Sequence, residues 1–516
     1  MTTPGDTVNT DLRRPVVVGT GQLRANRERT VEGAREPLAL LRYALLAAER
    51  DAGVPGLLRV ADAVHAVHVA SWAYDGLAGQ AAAAVGAHPR HLEDTGLGGH
   101  LPVRLLDRIA ARIWSGESDV ALLVGGEAQA SVSLLGKAGV DPVADLGWSA
   151  SPGGPPAFDL DQLGSPAMQA AGLIAPTRVY PLFENRLQAD LGLTPEEAHD
   201  WSAQLYAALS AIAAVHPVSW SSQALTAEQV GRASATNRTV CEPYPLSMNA
   251  MPHVDQAAAL VVMSHGAARE HGIADDRLVH VWGGAGADGD PDVLARSGFS
   301  AVAALGVALD ACLAASGTTI GDVDLIDVYS CFPVVPKLVA LHLGLPRDAP
   351  LSVTGGHSSF GGPLNSYSLH ALATTVERLR AGGTGLVHAN GGYLTSQHAV
   401  LLGSRPHPHG YVGRPEPQEV RAAAPVPVLT VAQVDDQELV VETATVEHDR
   451  AGSPAQAFVV TRTADGARVA ASTPYGDAAA AQVLSLAALP AGHTTHVGRA
   501  VRLTAQSDGT ALVSPV

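Results

Sequence analysis

One α/β unit occurs twice in this 516-residue chain, and that repetition restricts the fold more than any other feature. Asp62-Ala63-Val64 begins a strand, and the second glycine of Gly98-Gly99 follows 37 residues after Asp62. Asp324-Leu325-Ile326 begins the matching strand, and the second glycine of Gly361-Gly362 follows 38 residues after Asp324. Each Gly-Gly opens a helix, at 101–114 and at 364–379. Each helix leads to an apolar strand that meets glycines, at 119–124 before Gly125-Gly126 and at 385–389 before Asn390-Gly391-Gly392. Two copies of one supersecondary unit strongly constrain the architecture. The accidental alternative is an ordinary doubly wound fold in which such spacings recur loosely.

The rest of the chain extends this pattern. A strand at 16–18 ends in the Gly19-Thr20-Gly21 turn, and a helix at 37–53 carries Leu38, Leu41, Leu45 and Ala48 on one face with Gly53 as its stop. Further strands are predicted at 60–69, 257–263, 278–282 and 324–329, and a helix at 301–315. Wholly apolar strands alternating with helices predict a parallel sheet covered on both faces. Residues 130–250 break the rhythm. Thr194-Pro195-Glu196-Glu197 is a capping box opening a helix to about Val215. This region reads as a helical insertion over the sheet, a common place for a substrate lid. The polar lead 1–13 is expected to be disordered. Prolines and histidines, His407 and His409 among them, mark 405–427 as a linker. Short β-type runs at 428–434, 439–446, 457–462, 469–472 and 500–504, with a Thr463-Ala464-Asp465-Gly466 turn, predict a small all-β domain. The predicted units are 14–275 (including the insertion 130–250), 276–404, the linker, and 428–516.

A formal net charge of -17 and the absence of any Lys/Arg run argue against nucleic acid as the main partner. The β domain carries a single tyrosine, Tyr475, too few aromatic groups for a single-strand stacking platform. Cys241, Cys312 and Cys331 are odd in number and far apart, which argues against a disulfide framework or a zinc site, and no metal is expected. No apolar run is long enough to span a bilayer, and Met1 to Arg14 has no signal-type apolar core. A cytoplasmic location is expected.

Three motifs carry chemistry: Tyr329-Ser330-Cys331-Phe332-Pro333, Gly355-Gly356-His357-Ser358-Ser359-Phe360-Gly361-Gly362-Pro363, and His388-Ala389-Asn390-Gly391-Gly392-Tyr393. Together with the duplication and with Ser115-Gly116-Glu117-Ser118-Asp119-Val120 before Gly125-Gly126-Glu127, they resemble the thiolase superfamily over about residues 14–404. Val328 to Phe332 is similar to the HDCF phrase of the sterol-carrier-protein type of thiolase. The β domain resembles the OB-like barrel that follows the fold in thiolase-like proteins of type 1. The resemblance implies two βαβαβαββ halves in a five-layer αβαβα sandwich, with a loop domain inserted in the first. It also implies acetyl-CoA acetyltransferase-like handling of acyl-CoA, in lipid metabolism.

Carried over position by position, the resemblance removes the usual machinery. The nucleophilic cysteine falls on Gly99, followed by His100. The activating histidine falls on Gly362, the acid/base cysteine on His388, and the asparagine of the Asn-Glu-Ala-Phe motif on Tyr329. Ping-pong acyl transfer needs a covalent nucleophile, and glycine supplies none. What remains is a helix N-terminus at Gly99-His100 able to hold a thioester oxygen or an enolate, close backbone at Gly362, Gly391 and Gly392, and Tyr329, His357, His388 and Tyr393 as acid or base. Cys331 is the one thiol within a motif, a packed core residue or an alternative nucleophile. Asn365 and Tyr367 cap and line the helix after Pro363. Arg178, Arg186 and Lys337 are the cations available for CoA phosphates. The expected function is retro-aldol or proton-transfer chemistry on an acyl-CoA, with coenzyme A as part of the substrate and no permanently bound cofactor. The alternative is a degenerate homologue that binds acyl-CoA or a protein partner, with the β domain as adaptor.

Overall fold

The computed structural model describes residues 10–156, 164–422, 424–434 and 437–516. Of the expected disordered lead, residues 1–9 lie outside the described residues, and Thr10–Arg13 forms a 3-10 turn instead. The first half contains β1 (Pro15–Arg24), α1 (Pro37–Ala52), β2 (Ala63–Ala66), α2 (Leu77–Val85), β3 (His91–Asp94), α3 (Leu101–Ser115) and β4 (Val120–Ala128). The insertion follows, as α4 (Gln129–Ala138), α5 (Pro142–Leu146), α6 (Pro166–Ala170), α7 (Pro176–Asp190), α8 (Pro195–Val215), α9 (Ala227–Gly231), β5 (Thr239–Cys241) and β6 (Tyr244–Pro245). β7 (Asp255–Ser264) and α10 (His265–Glu270) close the half. The second half has β8 (Val279–Asp288), α11 (Ala303–Ala315), β9 (Leu325–Val328), α12 (Val334–His342), α13 (Tyr367–Leu379), β10 (Thr384–Gly391) and β11 (Ser396–Gly403).

The duplication is visible in strand order. The first half-sheet runs β3-β2-β4-β7-β1 and the second β9-β10-β11-β8. Counted within the first half the order is 3-2-4-5-1, and in the same numbering the second half is 2-4-5-1, with the strand numbered five antiparallel to its neighbours in both. Among the described residues no strand stands in the second half where β3 stands in the first. There the Val328 N–H donates to Leu351 O at 2.9 Å. The half-sheets meet along β1 and β8, through Val16↔His280 and Val17↔Val279. Helices α3 and α13 lie between them, α1 and α2 cover the outside of one, and α11 and α12 the outside of the other. This is the five-layer αβαβα thiolase fold.

The strands are longer than the sequence pattern indicated. β1 does not stop at Gly19 but continues to Arg24, and β4 and β8 likewise run through their glycine pairs. The glycines serve close approach, not turning. A Cβ on Gly21 would overlap the Ala44 carbonyl and come within 2.6 Å of Ala48 N, so α1 can lie directly on the strand. The Thr194 capping box forms as predicted and starts the 21-residue α8.

After β11 the chain is not a plain linker. β12 (Arg414–Glu419) pairs with β8, and the His407 ring is buried with Nε2 3.2 Å from Ser316 O. The remaining elements are β13 (Val428–Leu429), β14 (Leu439–His448), β15 (Pro454–Arg462), β16 (Arg468–Ser472), α14 (Ala478–Gln482), β17 (Ala500–Ala505) and β18 (Ala511–Pro515). Of the predicted strand 428–434 only Val428–Leu429 is extended, and a 3-10 turn takes Val431–Val434. The C-terminal sheet has the order β13-β16-β15-β14-β17-β18 and a core of its own. It is joined to the insertion by pairing, since β5 adds to β14 at Cys241↔Glu447. Buried Arg468 seals the junction with the second half, bonding the Glu442 carboxylate and Leu294 O. Among the described residues no helix is long and apolar enough to cross a membrane.

Candidate active site

The first Gly-Gly turn is held by residues that open the second unit's helix. The Gly98 N–H donates to Asn365 Oδ1 at 2.8 Å, Asn365 Nδ2 donates to His68 O at 3.1 Å, and Ser368 Oγ donates to Gly99 O at 2.6 Å. The start of α13 therefore fixes the start of α3. Among the described residues no acceptor faces the N–H groups of Gly99 and His100, which carry the positive end of α3.

Tyr329 follows β9, with its N–H on His388 O at 3.1 Å. Its hydroxyl fills the space above Gly99, so that a Cβ there would overlap it. No hydrogen bond reaches this hydroxyl among the described residues, and burial raises its pKa, keeping it protonated. His100 packs the same way over Gly391, where a Cβ would overlap Nδ1. That Nδ1 is buried without a partner, and burial pushes the imidazole down to about 3, so it is neutral.

The Gly356–Phe360 turn is a π-type turn that delivers His357 to the same place. Its ring stacks on Tyr367 with centroids 3.6 Å apart and meets Tyr329 edge-on at 4.2 Å. Nδ1 lies 3.4 Å from Ser330 Oγ, while Nε2 is buried without a partner. Burial holds the ring neutral. A protonated phenol beside a neutral imidazole is an acid next to a base.

His388 and Cys331 belong to a second group built around Tyr180 of the insertion, and Tyr393 stands apart from both groups. His388 Nε2 is 2.9 Å from Gln397 Oε1, Gln397 Nε2 donates to Asn390 Oδ1 at 2.7 Å, Asn390 Nδ2 donates to Tyr180 Oη at 2.8 Å, and that hydroxyl donates to Gly392 O at 2.6 Å. Burial lowers His388 to about 4 and pushes the Cys331 thiol up to about 12, beside Tyr180 and Asn390. The Tyr393 hydroxyl donates to Ile174 O, which docks the insertion. Nothing in the sequence motifs pointed to Tyr180, which stacks on Phe332 at 4.6 Å.

A cavity of about 880 Å³ opens between the insertion and the His357 turn, lined among others by Trp220, Arg232, Ser247, Met251, Ser358 and Ser359. Ser358 Oγ is buried without a partner. Trp220 also carries two guanidinium groups, Arg24 at 4.7 Å and Arg29 at 5.3 Å from its ring. Burial first, then repulsion from Arg27 and Arg29, lowers the pKa of Arg24. This concentration of positive charge in an acidic chain went unseen in the sequence because Arg24, Arg27 and Arg29 are interrupted by other residues. The cations named from sequence are engaged elsewhere: Lys337 is buried on Glu184 at 2.5 Å, Arg178 pairs with Glu447 at 2.8 Å, and Arg186 pairs with Asp190 at 2.9 Å.

The model of the thiolase-like protein type 1 additional C-terminal domain matches residues 416–504. The crystal structure of a monomeric SCP2-thiolase like protein type 1 from Mycobacterium smegmatis superposes with a TM-score of 0.78 at 26% identity, covering 98% of this chain and 99% of that one. Residues 416–504 form the additional C-terminal domain of thiolase-like proteins of type 1, and the chain as a whole is similar to such a protein in fold. The wider thiolase fold is shared with an Ltp2-ChsH2(DUF35) aldolase (TM-score 0.58, 20% identity) and with human mitochondrial 3-ketoacyl-CoA thiolase in complex with CoA (0.54, 18%), each covering 76% of this chain and 98% of its own. No curated protein matches the sequence. Tyr329 occupies the volume that a side chain on Gly99 would need.

Proposed function

We propose that this thiolase-like protein acts on a C–C bond of an acyl-CoA, or on an enolisable CoA thioester, without a covalent intermediate. The observation that carries the reading is the unpartnered Tyr329 hydroxyl, set against the start of α3 and beside the unpartnered Nε2 of His357. The roles follow from the geometry. The cavity beside Ser358 takes the thioester arm, and the cluster of Arg24, Arg27 and Arg29 beside Trp220 attracts its phosphates. The N–H groups of Gly99 and His100 receive the thioester oxygen. On a β-hydroxyacyl-CoA, His357 Nε2 takes the hydroxyl proton and the Cα–Cβ bond breaks. The electron pair moves onto the thioester as an enolate, and Tyr329 returns a proton to Cα. The products are a carbonyl compound and a shorter acyl-CoA, and the proton on His357 restores Tyr329. Support for CoA as ligand comes from the thiolase neighbour solved with CoA, and support for C–C cleavage from the neighbour named as an aldolase.

The test is a panel of acyl-CoA esters, steroid side-chain esters included, read by mass spectrometry for cleavage products. Cleavage of at least one class by the wild type, lost in Tyr329→Phe, is the expected result. Thiolysis of acetoacetyl-CoA at thiolase rates would overturn the reading. The second reading, acyl-CoA binding without turnover, is favoured by the burial of every candidate acid and base. It predicts thermal stabilisation by CoA esters with no product from any class.

A further inference from the structure

We propose that His65, His91 and Glu93 form a site for one divalent transition ion of the Zn²⁺, Co²⁺ or Ni²⁺ class, at the free edge of the first half-sheet. None of the chemistry above uses these residues. In the parallel pair of β2 and β3, His65 stands opposite Glu93 and Ala63 opposite His91. His91 and Glu93 are two residues apart on one strand, so both face the side on which His65 projects. One potential ligand atom from each of the three lies within 4.8 Å of the others.

The spacing suits a small ion. Ligand bonds of about 2.0–2.1 Å in a tetrahedron place the ligand atoms about 3.3–3.4 Å apart. His65 Nδ1 is 3.1 Å and His91 Nε2 is 3.6 Å from the same oxygen, Glu93 Oε2. His65 Nδ1 and His91 Nε2 thus converge on one carboxylate oxygen, while Nε2 of fully buried His65 has no hydrogen-bond partner among the described residues. An ion between the three groups takes the place of these pairings and brings both nitrogens and the oxygen onto one centre. Arg108 donates to the other carboxylate oxygen, Glu93 Oε1, at 2.6 Å. It thereby orients the carboxylate and leaves Oε2 for the ion, as outer partners of ligating carboxylates do. Two imidazoles and a carboxylate select a borderline ion over Mg²⁺ or Ca²⁺. His91 and Glu93 are partly exposed, at 29% and 19% of the side chain, so the ion has an entry path and the fourth position is open to water. Bound there, it clips edge strand β3 to β2. Cysteine spacing could not disclose this set, because its members meet only through strand pairing.

The full chain, stripped with a chelator and desalted, is titrated with Zn²⁺ by calorimetry and with Co²⁺ by visible absorption. One equivalent of Zn²⁺, a four- or five-coordinate Co²⁺ spectrum and a raised melting midpoint are expected. His91→Ala and Glu93→Gln lower the affinity by at least about tenfold, and Arg108→Met by about tenfold. Zinc-edge X-ray absorption of the wild type, which depends on no variant, shows two imidazoles in the shell. Failure of the wild type to retain zinc, equal affinity of the variants and wild type through other histidines, or a shell lacking imidazole each overturns the proposal.

Discussion

The hydroxyl of Tyr329 lies where a side chain on Gly99 would have to begin. The glycine at 99 and the phenol at 329 are thus two sides of one packing arrangement. Restoring cysteine alone does not restore a thiolase. Gly99→Cys is expected to cost about 1–3 kcal/mol by overpacking and to give no thiolysis of acetoacetyl-CoA. Tyr329→Ala in the same chain recovers part of that loss. Urea denaturation of the two single variants and the double variant measures the coupling.

Tyr329 and Tyr393 separate activity from stability. The Tyr329 hydroxyl makes no hydrogen bond among the described residues, so Tyr329→Phe leaves the unfolding free energy within about 0.5 kcal/mol while reducing C–C cleavage about 10²–10⁴-fold. The Tyr393 hydroxyl holds Ile174 O. Tyr393→Phe therefore costs about 0.5–1.5 kcal/mol and leaves turnover per folded molecule near wild type. Parallel urea titrations and product assays on both variants distinguish the roles.

Lys337 is spoken for by the fold. Its ammonium bonds Glu184, Ser202 Oγ at 2.6 Å and Ala198 O at 3.1 Å in the interior. Lys337→Met leaves the Glu184 carboxylate buried and unpaired, at an expected cost of about 3–5 kcal/mol. The Lys337→Met/Glu184→Gln pair removes the stranded charge and keeps a partner for the Tyr244 hydroxyl, which donates to Glu184 at 2.6 Å. Calorimetric melting should place the double variant well above the single.

Acid stability has a defined sign. Burial lowers His388 to about 4, against the opposing hydrogen bond to Gln397 Oε1, whereas an unfolded histidine titrates near 6.5. Between those values the unfolded chain binds a proton that the folded chain refuses. Stability from this group is therefore complete above about pH 6.5 and is lost as pH falls towards about 4. His388→Gln should flatten the pH dependence of unfolding free energy in that window by up to about 1.4 kcal/mol per pH unit. Urea titrations at fixed ionic strength from about pH 4.5 to 7.5 measure it.

The architecture was legible wherever a local pattern repeats. The Gly-Gly spacing, the apolar strands and the Thr194 box led to two α/β halves and a helical insertion, all present in the structure. Glycine misled at the strand ends. Gly19 reads as a turn, and the strands expected at 119–124 and 278–282 stop short of Gly125 and Gly283, yet all three glycines lie inside strands, because the sequence does not distinguish a glycine that bends from one that admits a neighbour. At the site, Tyr329 and His357 were found through their motifs and do come together. His388 and Cys331, from the same motifs, join the Tyr180 network instead, and the Tyr393 hydroxyl bonds Ile174 O. Tyr180 and the arginines beside Trp220 reach their places through the insertion and the end of β1, where no short-range pattern announces a long-range contact.

The strand that the insertion lends to the C-terminal sheet sets an order on biosynthesis. Glu242 finds His448 206 residues further along the chain, and Thr445 Oγ1 closes on Glu242 O beside it. At ordinary elongation rates of about 5–20 residues per second, that interval lasts about 10–40 s. Throughout it the first half exists on the ribosome with β5 paired to β6 alone and its other edge open. The molecule is sealed from its last hundred residues inward, and a nascent chain halted before β14 presents an open strand edge to any chaperone or neighbour within reach.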